Sequence, residues 1–145
     1  MDLKTLVDER DIQRQLIRFA RAMDERNWPA LEAICNPDIV AEFGTGEVTG
    51  SAAVVELIRA YLDHCGPTQH LLGNILIDVN GDEATSEAYV ADIHLSANAD
   101  SDDYFRTLGN YMDRWVRVGD SWRLAERRKD NRALMGTMAV FNPAD

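Results

Sequence analysis

A chain of 145 residues, 46% hydrophobic and 28% charged, is long enough to fold as one domain with a sizeable core. Its formal net charge of −10 argues against anionic partners, which excludes nucleic acid and acidic membrane surfaces. The chain starts without the basic and apolar run of a signal peptide, and no apolar stretch approaches the roughly 18 residues of a membrane span. We therefore expect a cytoplasmic protein whose two cysteines stay reduced.

Three helices are predicted in the first half of the chain. The first, with Asp8 or Asp11 as its cap, is indicated by an apolar stripe with spacings of three and four: Ile12, Leu16, Phe19, Ala20 and Met23. A short second helix begins near Pro29, because proline suits a first helical turn. A short strand at 39–43 follows. Ser51 then caps a third helix, whose inner face carries Val54, Leu57, Ile58, Tyr61 and Leu62.

The second half of the chain has the pattern of an antiparallel sheet. Strands are expected over residues 68–79, 83–95, 104–118 and 121 to about 131. Residues 133–145 form a C-terminal tail of the single domain 1–145, apolar between 134 and 141, which we expect to cover a pocket mouth or a neighbouring subunit. Helices followed by a meandering sheet predict an α+β fold, with the helices packed on one side of a curved sheet.

The hairpin between the first two of these strands has two possible registers. With a two-residue loop, His70 pairs with Ala91, and His94 lies on the opposite face of the sheet. With a three-residue loop at 80–82, His70 lies opposite Asp92 and shares its face with His94. We favour the second register, which turns alternate residues of one strand inward: Ala88, Val90, Asp92 and His94.

Two polar residues interrupt apolar surfaces on different elements. Asp24 closes the stripe of the first helix, and His70 opens a hydrophobic strand. Taken singly, such residues are more often an exposed capping carboxylate and a structural histidine. If they meet, the carboxylate fixes the tautomer of the imidazole and leaves its other nitrogen free as a base near neutral pH. The pair therefore predicts a dyad that removes a proton from a substrate.

Two positions on the later strands have alternative interpretations. Thr107, Gly109 and Tyr111 share one face, and Gly109 removes bulk either where a ligand approaches or at a bend or bulge. Arg127 shares a face with Arg123 and Ala125. It is either a solvated salt-bridge partner or a group that points into an apolar pocket and stabilises an oxyanion or a departing anion.

Segments of the chain resemble the SnoaL-like branch of the nuclear transport factor 2-like superfamily, from about residue 8 to residue 130. They are RAMDERNWPAL at 21–31, TQHLLGN at 68–74 and WVRVGDSWRL at 115–124. The resemblance implies a cone-shaped α+β fold, in which a curved, mainly antiparallel mixed sheet wraps around three N-terminal helices. The superfamily holds dehydratases, isomerases, cyclases, hydrolases and non-catalytic binding modules, so the fold alone does not imply one activity.

Within this superfamily, the chain is most similar to scytalone dehydratases and hexachlorocyclohexane dehydrochlorinases. In both, an Asp–His dyad abstracts a proton for an elimination, and Asp24 and His70 match that dyad. The resemblance also implies that His94 matches the second active-site histidine of the dehydratases. Arg127 matches the active-site arginine of the dehydrochlorinases.

The chain departs from both relatives in the groups that assist the base. The two tyrosines that polarise the carbonyl in scytalone dehydratases are replaced by Met23 and Phe43. The pocket serine and asparagine of those enzymes become Gly109 and Tyr111, and the dehydrochlorinase lysine on the first helix becomes Phe19. The substrate of either relative should therefore not be assumed.

The resulting hypothesis is a lyase of the dehydratase type that acts on a small, apolar, cyclic or aromatic organic compound. His70 is the expected base, Asp24 orients it, and His94 and Arg127 complete the catalytic set. The expected substrate-binding residues are Phe19, Met23, Phe43, Tyr61, Leu72, Val90, Asp92, Thr107 and Tyr111. No cofactor or metal is expected, because the three histidines show no ligand spacing.

Two alternatives and one assembly prediction accompany this hypothesis. An isomerase or polyketide-cyclase-like enzyme would use the same base and return the proton, whereas a ligand-binding module would use no base. A homodimer or homotrimer is expected, because one face of the long strands has no covering helix. That face carries some combination of Met112, Trp115, Trp122 and Leu124.

Overall fold

The computed structural model describes residues 2–142, in which three α-helices, six strands and a short 3₁₀ helix follow one another. The helices are α1 (Leu3–Glu25), α2 (Trp28–Ile34) and α3 (Ser51–Leu62). The strands are β1 (Cys35–Glu42), β2 (Glu47–Thr49), β3 (Thr68–Asn80), β4 (Glu83–Leu95), β5 (Tyr104–Val118) and β6 (Ser121–Gly136). The 3₁₀ helix spans Met138–Phe141. Within the described residues, no helix combines the length and the apolar character that crossing a membrane requires.

Helix α1 begins earlier than the sequence indicated. Its N-cap is Asp2, whose carboxylate accepts a hydrogen bond from the Thr5 backbone N–H at 2.8 Å. The predicted cap Asp8 instead lies inside the helix and is buried, where the Arg117 guanidinium donates to both of its oxygens at 3.0 and 2.9 Å. Asp8 therefore joins the start of α1 to the sheet.

The six strands form one curved, unclosed mixed sheet in the order β2-β1-β6-β5-β4-β3. Only the β1–β6 pairing is parallel, and the other four are antiparallel. The helices pack on one face of this sheet, and the core between them contains Ile12, Leu16, Leu31, Val54, Trp115, Trp122 and Leu124. The predicted α+β class, with a mainly antiparallel sheet around three N-terminal helices, is confirmed.

The β3–β4 hairpin reaches the favoured register by an unexpected route. Its loop contains two residues, Gly81 and Asp82, instead of the predicted three. A bulge at residues 74–75 then shifts the pairing by one residue, and the non-glycine residue Asn74 has a φ of 49° there. As a result, His70 pairs with Asp92, as predicted. Alternate side chains of β3 face the helices both before and after the bulge.

Strand β6 is longer than predicted and replaces the first part of the expected tail. It continues to Gly136 because residues 133–136 pair with 105–108 of β5. The 3₁₀ helix that follows carries Met138 and Phe141, which line the main cavity together with Leu134. The end of the chain thus covers one side of that cavity, while residues 143–145 of the predicted tail lie outside the described residues.

The outer face of β3, β4 and β5 carries five exposed apolar side chains away from the strand ends: Leu71, Leu76, Tyr89, Leu108 and Met112. The predicted assembly surface is corrected here, because Trp115, Trp122 and Leu124 are buried in the core and only Met112 faces outward. Several large apolar side chains exposed on one face of a sheet make that face a candidate interface. Self-association stays a prediction, now carried by these five residues.

The double variant Leu108→Lys/Met112→Lys is expected to have a smaller sedimentation coefficient than the wild type, because two charges on this face oppose contact between two copies of the protein. Sedimentation velocity at micromolar concentration measures the change. Leu3→Lys/Val7→Lys is the matched control, since it places the same two charges on exposed apolar sites of α1. A monomeric wild type would contradict the prediction.

Candidate active site

A cavity of about 280 Å³ lies between the helices and the inner face of the sheet. Helix α3 supplies its apolar side with Leu57, Ile58, Tyr61 and Leu62. The sheet supplies its polar side with His70, Asp92, His94, Thr107, Tyr111, Lys129 and Asn131. Further lining residues come from α1, from the loop after β1, from β5 and β6, and from the 3₁₀ helix: Met23, Phe43, Gly44, Thr45, Phe105, Leu134, Met138 and Phe141.

The structure brings Asp24 and His70 into direct contact at the edge of this cavity. The Nδ1 atom of His70 lies 2.7 Å from Oδ1 of Asp24, and the His70 backbone N–H donates to Oδ2 at 3.1 Å. The imidazole side chain is only 6% exposed. Because Nδ1 faces the carboxylate, Nδ1 carries the hydrogen and Nε2 is the ring nitrogen left for a ligand.

A second pair of residues holds the Asp24 carboxylate in place. Thr68 donates from its hydroxyl to Oδ1 of Asp24 at 2.9 Å, and the Thr68 oxygen accepts from Arg26 at 2.8 Å. Arg26 ends α1 in the left-handed region with a φ of 55° and also donates to the Gly66 carbonyl at 2.7 Å. The end of α1 and the start of β3 are therefore held together at the dyad.

The Asp24 carboxyl is ionised at neutral pH. Partial burial disfavours the charged form, but the hydrogen bonds from the His70 ring, the His70 backbone and Thr68 outweigh it, and the pKa lies below its ordinary value of 3.8. An ionised Asp24 accepts from Nδ1–H of His70 and would stabilise an imidazolium if the ring took up a proton.

A second histidine stands beside the first. His94 and His70 have ring centroids 5.4 Å apart and nearly perpendicular planes, so they share the inner face as predicted. Nδ1 of His94 lies 3.1 Å from the Phe105 carbonyl oxygen. Burial lowers the pKa of His94, although the Asp92 carboxylate opposes the shift, and the ring is neutral at neutral pH. Nδ1–H therefore donates to Phe105, which leaves Nε2 as an acceptor.

Asp92, Thr107 and Lys129 form a hydrogen-bonded cluster on the cavity surface, here called the polar wall. The Thr107 hydroxyl donates to Oδ2 of Asp92 at 2.7 Å, and the Lys129 ammonium donates to the same oxygen at 2.9 Å and to Thr107 at 2.7 Å. Burial raises the pKa of Asp92, but the Lys129 charge and these hydrogen bonds outweigh it and hold that pKa below the ordinary value. Asp92 is therefore an ionised, buried carboxylate.

Lys129 was not among the residues predicted from the sequence. Its side chain passes over Gly109, where an added Cβ would lie 2.8 Å from Lys129 Cε and 3.2 Å from Val90 Cγ1. Gly109 thus makes room for a lysine of the same chain, and not only for a ligand or a bend. The sequence could have indicated Lys129, because it lies two residues after Arg127 on the same strand and therefore on the same face of the sheet.

The structure corrects the expectation for Arg127. The side chain is buried and does not line the cavity, because its guanidinium donates to both oxygens of Asp113 at 2.8 and 2.9 Å. It also stacks on the rings of Phe19 and Tyr111, with 4.4 and 3.8 Å to their centroids. A bulge in β6 at Ala125 turns Arg127 to the inner face. Its geometry is that of a core ion pair and not of a group that meets a substrate.

The remaining predicted binding residues divide into two groups. Six of them line the cavity: Met23, Phe43, Tyr61, Asp92, Thr107 and Tyr111. Phe19 does not, because it is covered by the Arg127 guanidinium. Leu72 and Val90 do not line it either. They form the next inward-facing pair after His70 and Asp92 on β3 and β4, where α1 packs on β3.

The comparisons with known proteins agree with this fold. A model of the SnoaL-like domain matches residues 4–128, and the chain therefore belongs to the SnoaL-like domain family. An uncharacterized protein of Mycobacterium tuberculosis strain H37Rv is 26% identical over 129 residues, which cover 88% of this chain and 87% of the relative. The resemblance predicted from the sequence is confirmed at the level of the family.

Solved structures extend the comparison. A candidate scytalone dehydratase of Novosphingobium aromaticivorans superposes with a TM-score of 0.83 at 23% identity, over 92% of this chain and 89% of the other. A hexachlorocyclohexane dehydrochlorinase of type 2 gives a TM-score of 0.83 at 17% identity, over 94% and 93%. Similarity at this level of identity shows a shared fold.

Replacing Gly109 with alanine is expected to lower the free energy of unfolding by about 1–3 kcal/mol, because the new methyl group overpacks the site and displaces Lys129 from Asp92. Urea unfolding measures the loss. Gly73→Ala is the matched control, since an added Cβ there meets no heavy atom within 4 Å. Equal losses in both variants would show that Gly109 does not serve this contact.

The pH dependence of stability should report the Asp24 contacts. Because folding lowers the Asp24 pKa, the stabilisation by its charged form is present above the ordinary value of 3.8 and is lost as the pH falls through the folded pKa. Asp24→Asn is therefore expected to be less stable than the wild type at neutral pH and to lose less stability between about pH 5 and about pH 2. Urea unfolding at several pH values gives the free energy of unfolding of each protein as a function of pH. Curves that run parallel for the wild type and for Asp24→Asn would contradict the assignment.

Proposed function

We propose that this SnoaL-like protein is a cofactor-independent lyase of the dehydratase type. His70 removes a proton from carbon in a small cyclic or aromatic substrate, and Asp24 orients the imidazole and stabilises the imidazolium. The observation that carries the proposal is the 2.7 Å contact between His70 Nδ1 and Asp24 Oδ1 at the surface of a cavity with an apolar side. A base positioned in this way accelerates proton transfer by about 10²–10⁴-fold.

The other residues of the cavity support the same chemistry. Neutral His94 lies beside His70 and can accept a hydrogen bond from a substrate hydroxyl through Nε2. Burial raises the pKa of Tyr111 well above its ordinary value, so its hydroxyl stays protonated and can donate to a substrate oxygen. The apolar residues of α3 would hold the carbon skeleton.

Two alternatives use the same cavity. An isomerase or polyketide-cyclase-like enzyme would return the proton to another atom without losing a leaving group. A ligand-binding module would not use His70 as a base. The contact between Asp24 and His70 favours the two enzymatic functions over the binding module, because an exposed Asp24 is what that module predicts.

A screen in deuterium oxide separates these functions. Cyclic hydroxy-ketones are incubated with the protein and followed by proton NMR. Loss of water with formation of a double bond supports the lyase. Deuterium incorporation or a shifted double bond without loss of water supports the isomerase, and binding without any exchange supports the module.

His70→Gln is expected to abolish turnover of a substrate found in this screen, because the other imidazole of the cavity, His94, directs Nδ1 to the Phe105 carbonyl and has no carboxylate there to stabilise an imidazolium. Asp24→Asn is expected to lower the rate by up to about 10⁴-fold, as the comparable change does in a serine-protease triad, since an amide can hold the wrong tautomer and cannot stabilise the imidazolium. The assay uses purified variants with unchanged melting temperatures.

His64→Gln is the matched control for this experiment, because it removes an exposed histidine outside the cavity. It should turn over substrate at the wild-type rate. Wild-type activity in His70→Gln would show that His70 is not the base of the reaction. The cytoplasmic location and the absence of nucleic-acid and membrane partners remain predictions from the sequence.

A further inference from the structure

The Lys129 ammonium has a hydrogen-bond donor to spare at the cavity surface. An ammonium group has three N–H donors, and two of them are directed to Asp92 at 2.9 Å and to Thr107 at 2.7 Å. The side chain is 12% exposed and lines the cavity, so the third donor is available to a ligand. Among the cavity-lining residues of the described chain, Lys129 is the one lysine or arginine.

The polar wall also has an acceptor to spare. Among residues 2–142, Oδ1 of Asp92 has no hydrogen-bond partner, although the side chain is only 1% exposed. Nδ1 of His94 lies 3.6 Å from this oxygen, but its hydrogen is directed to the Phe105 carbonyl. A buried carboxylate oxygen without a partner is costly, and the Lys129 charge on the other oxygen of the same carboxylate offsets part of that cost.

The polar wall begins on the strand next to His70. Asp92 is the cross-strand partner of His70, and Thr107 is the partner of Asp92 on the next strand. The Lys129 ammonium contacts both Asp92 and Thr107, so it faces the same side of the cavity as the imidazole. A substrate carbon can therefore approach His70 while an oxygen on the neighbouring carbon approaches Lys129.

A histidine is a weak base for a proton on carbon, and the reaction needs a place for the electron pair. If the C–H lies next to a carbonyl, the proton moves to Nε2 of His70, a C=C bond forms, and the carbonyl electron pair moves onto oxygen. A donor already in place at that oxygen stabilises the charge as it develops. Met23 and Phe43, which line the same cavity, have no hydrogen-bond donor to offer that oxygen.

We infer that Lys129, held by Asp92 and Thr107 and given room by Gly109, binds the oxyanion that forms on a carbonyl oxygen of the substrate. The substrate class is then an enolisable carbonyl compound with a hydroxyl group, and not a halogenated hydrocarbon. This inference rests on the proposed function, because it assigns the electron acceptor to the proton transfer by His70. Arg127 does not take this role, since Asp113 occupies its guanidinium.

Binding of para-nitrophenolate tests the inference without turnover, because a phenolate presents the same oxygen charge as an enolate. Affinity is measured by absorbance titration at about pH 9, and nitrobenzene, which lacks the oxygen, is the reference ligand for the cavity. The wild type is expected to bind the phenolate more tightly than nitrobenzene. Lys129→Met is expected to lose about tenfold or more in phenolate affinity and to keep its affinity for nitrobenzene.

Matched variants separate the possible causes. Lys4→Met removes the other lysine of the chain, which is exposed on α1, and should change neither affinity. If Lys129→Met alone does not fold, the double variant Asp92→Asn/Lys129→Met removes both charges of the pair and carries the test. His70→Gln should lose turnover and keep phenolate binding, which distinguishes the base from the oxyanion site.

Two results would overturn the inference. One is equal phenolate affinity in the wild type and in the folded Lys129 variant. The other is a wild type that binds the phenolate no more tightly than nitrobenzene. Neither result bears on the proposed role of His70, which the turnover assay of His70→Gln tests separately. Loss of phenolate binding only in the Lys129 variants, together with an active His70→Gln, would keep the oxyanion site and reject the base.

Discussion

The hydrogen bond between the His70 imidazole and the Asp24 carboxylate joins the first helix to the edge strand of the sheet. Because Asp24 also accepts from Thr68, and Arg26 donates to Thr68 and to the Gly66 carbonyl, the contact is held from both elements. Hydrogen bonds to a charged group contribute about 1.5–3 kcal/mol each. The hydrogen bond from His70 to Asp24 holds α1 against β3 and also sets the imidazole tautomer. The stability of the fold and the tautomer of the base therefore depend on the same contact.

Three ion pairs with a buried carboxylate differ in their access to the cavity. Asp8 with the partly exposed Arg117 joins α1 to the sheet, and Asp113 with Arg127 lies in the core. Removing one partner of the core pair costs about 3–5 kcal/mol, because the other charge is left alone. In Asp92 with Lys129, by contrast, both residues line the cavity and keep unused hydrogen-bonding capacity. Only this pair can stabilise the fold and also meet a ligand.

The inner face of the sheet depends on bulges. In β3, the bulge at residues 74–75 keeps both halves of the strand facing the helices, and in β6 the bulge at Ala125 turns Arg127 inward. A second bulge in β6, at Arg132, lies between the pairs that contain Asn131 and Ala133. Each bulge adds one residue and bends its strand. The curvature that encloses the cavity and the inward direction of its polar groups therefore have a common origin.

The sequence by itself determined the α+β class, the three helices, the four long strands to within a few residues at most of their ends, and the candidate pair Asp24 and His70, because apolar periodicity and family motifs are local or short-range signals. It did not predict the short strand β2 or the start of β1 at Cys35. Only the tertiary structure decided which cation reaches the cavity. A one-residue bulge reverses the facing of every later side chain, and no periodic pattern locates it. The path of Lys129 depends on the gap at Gly109 on the neighbouring strand, and the enclosure of Arg127 depends on Asp113. Contacts between strands created both outcomes.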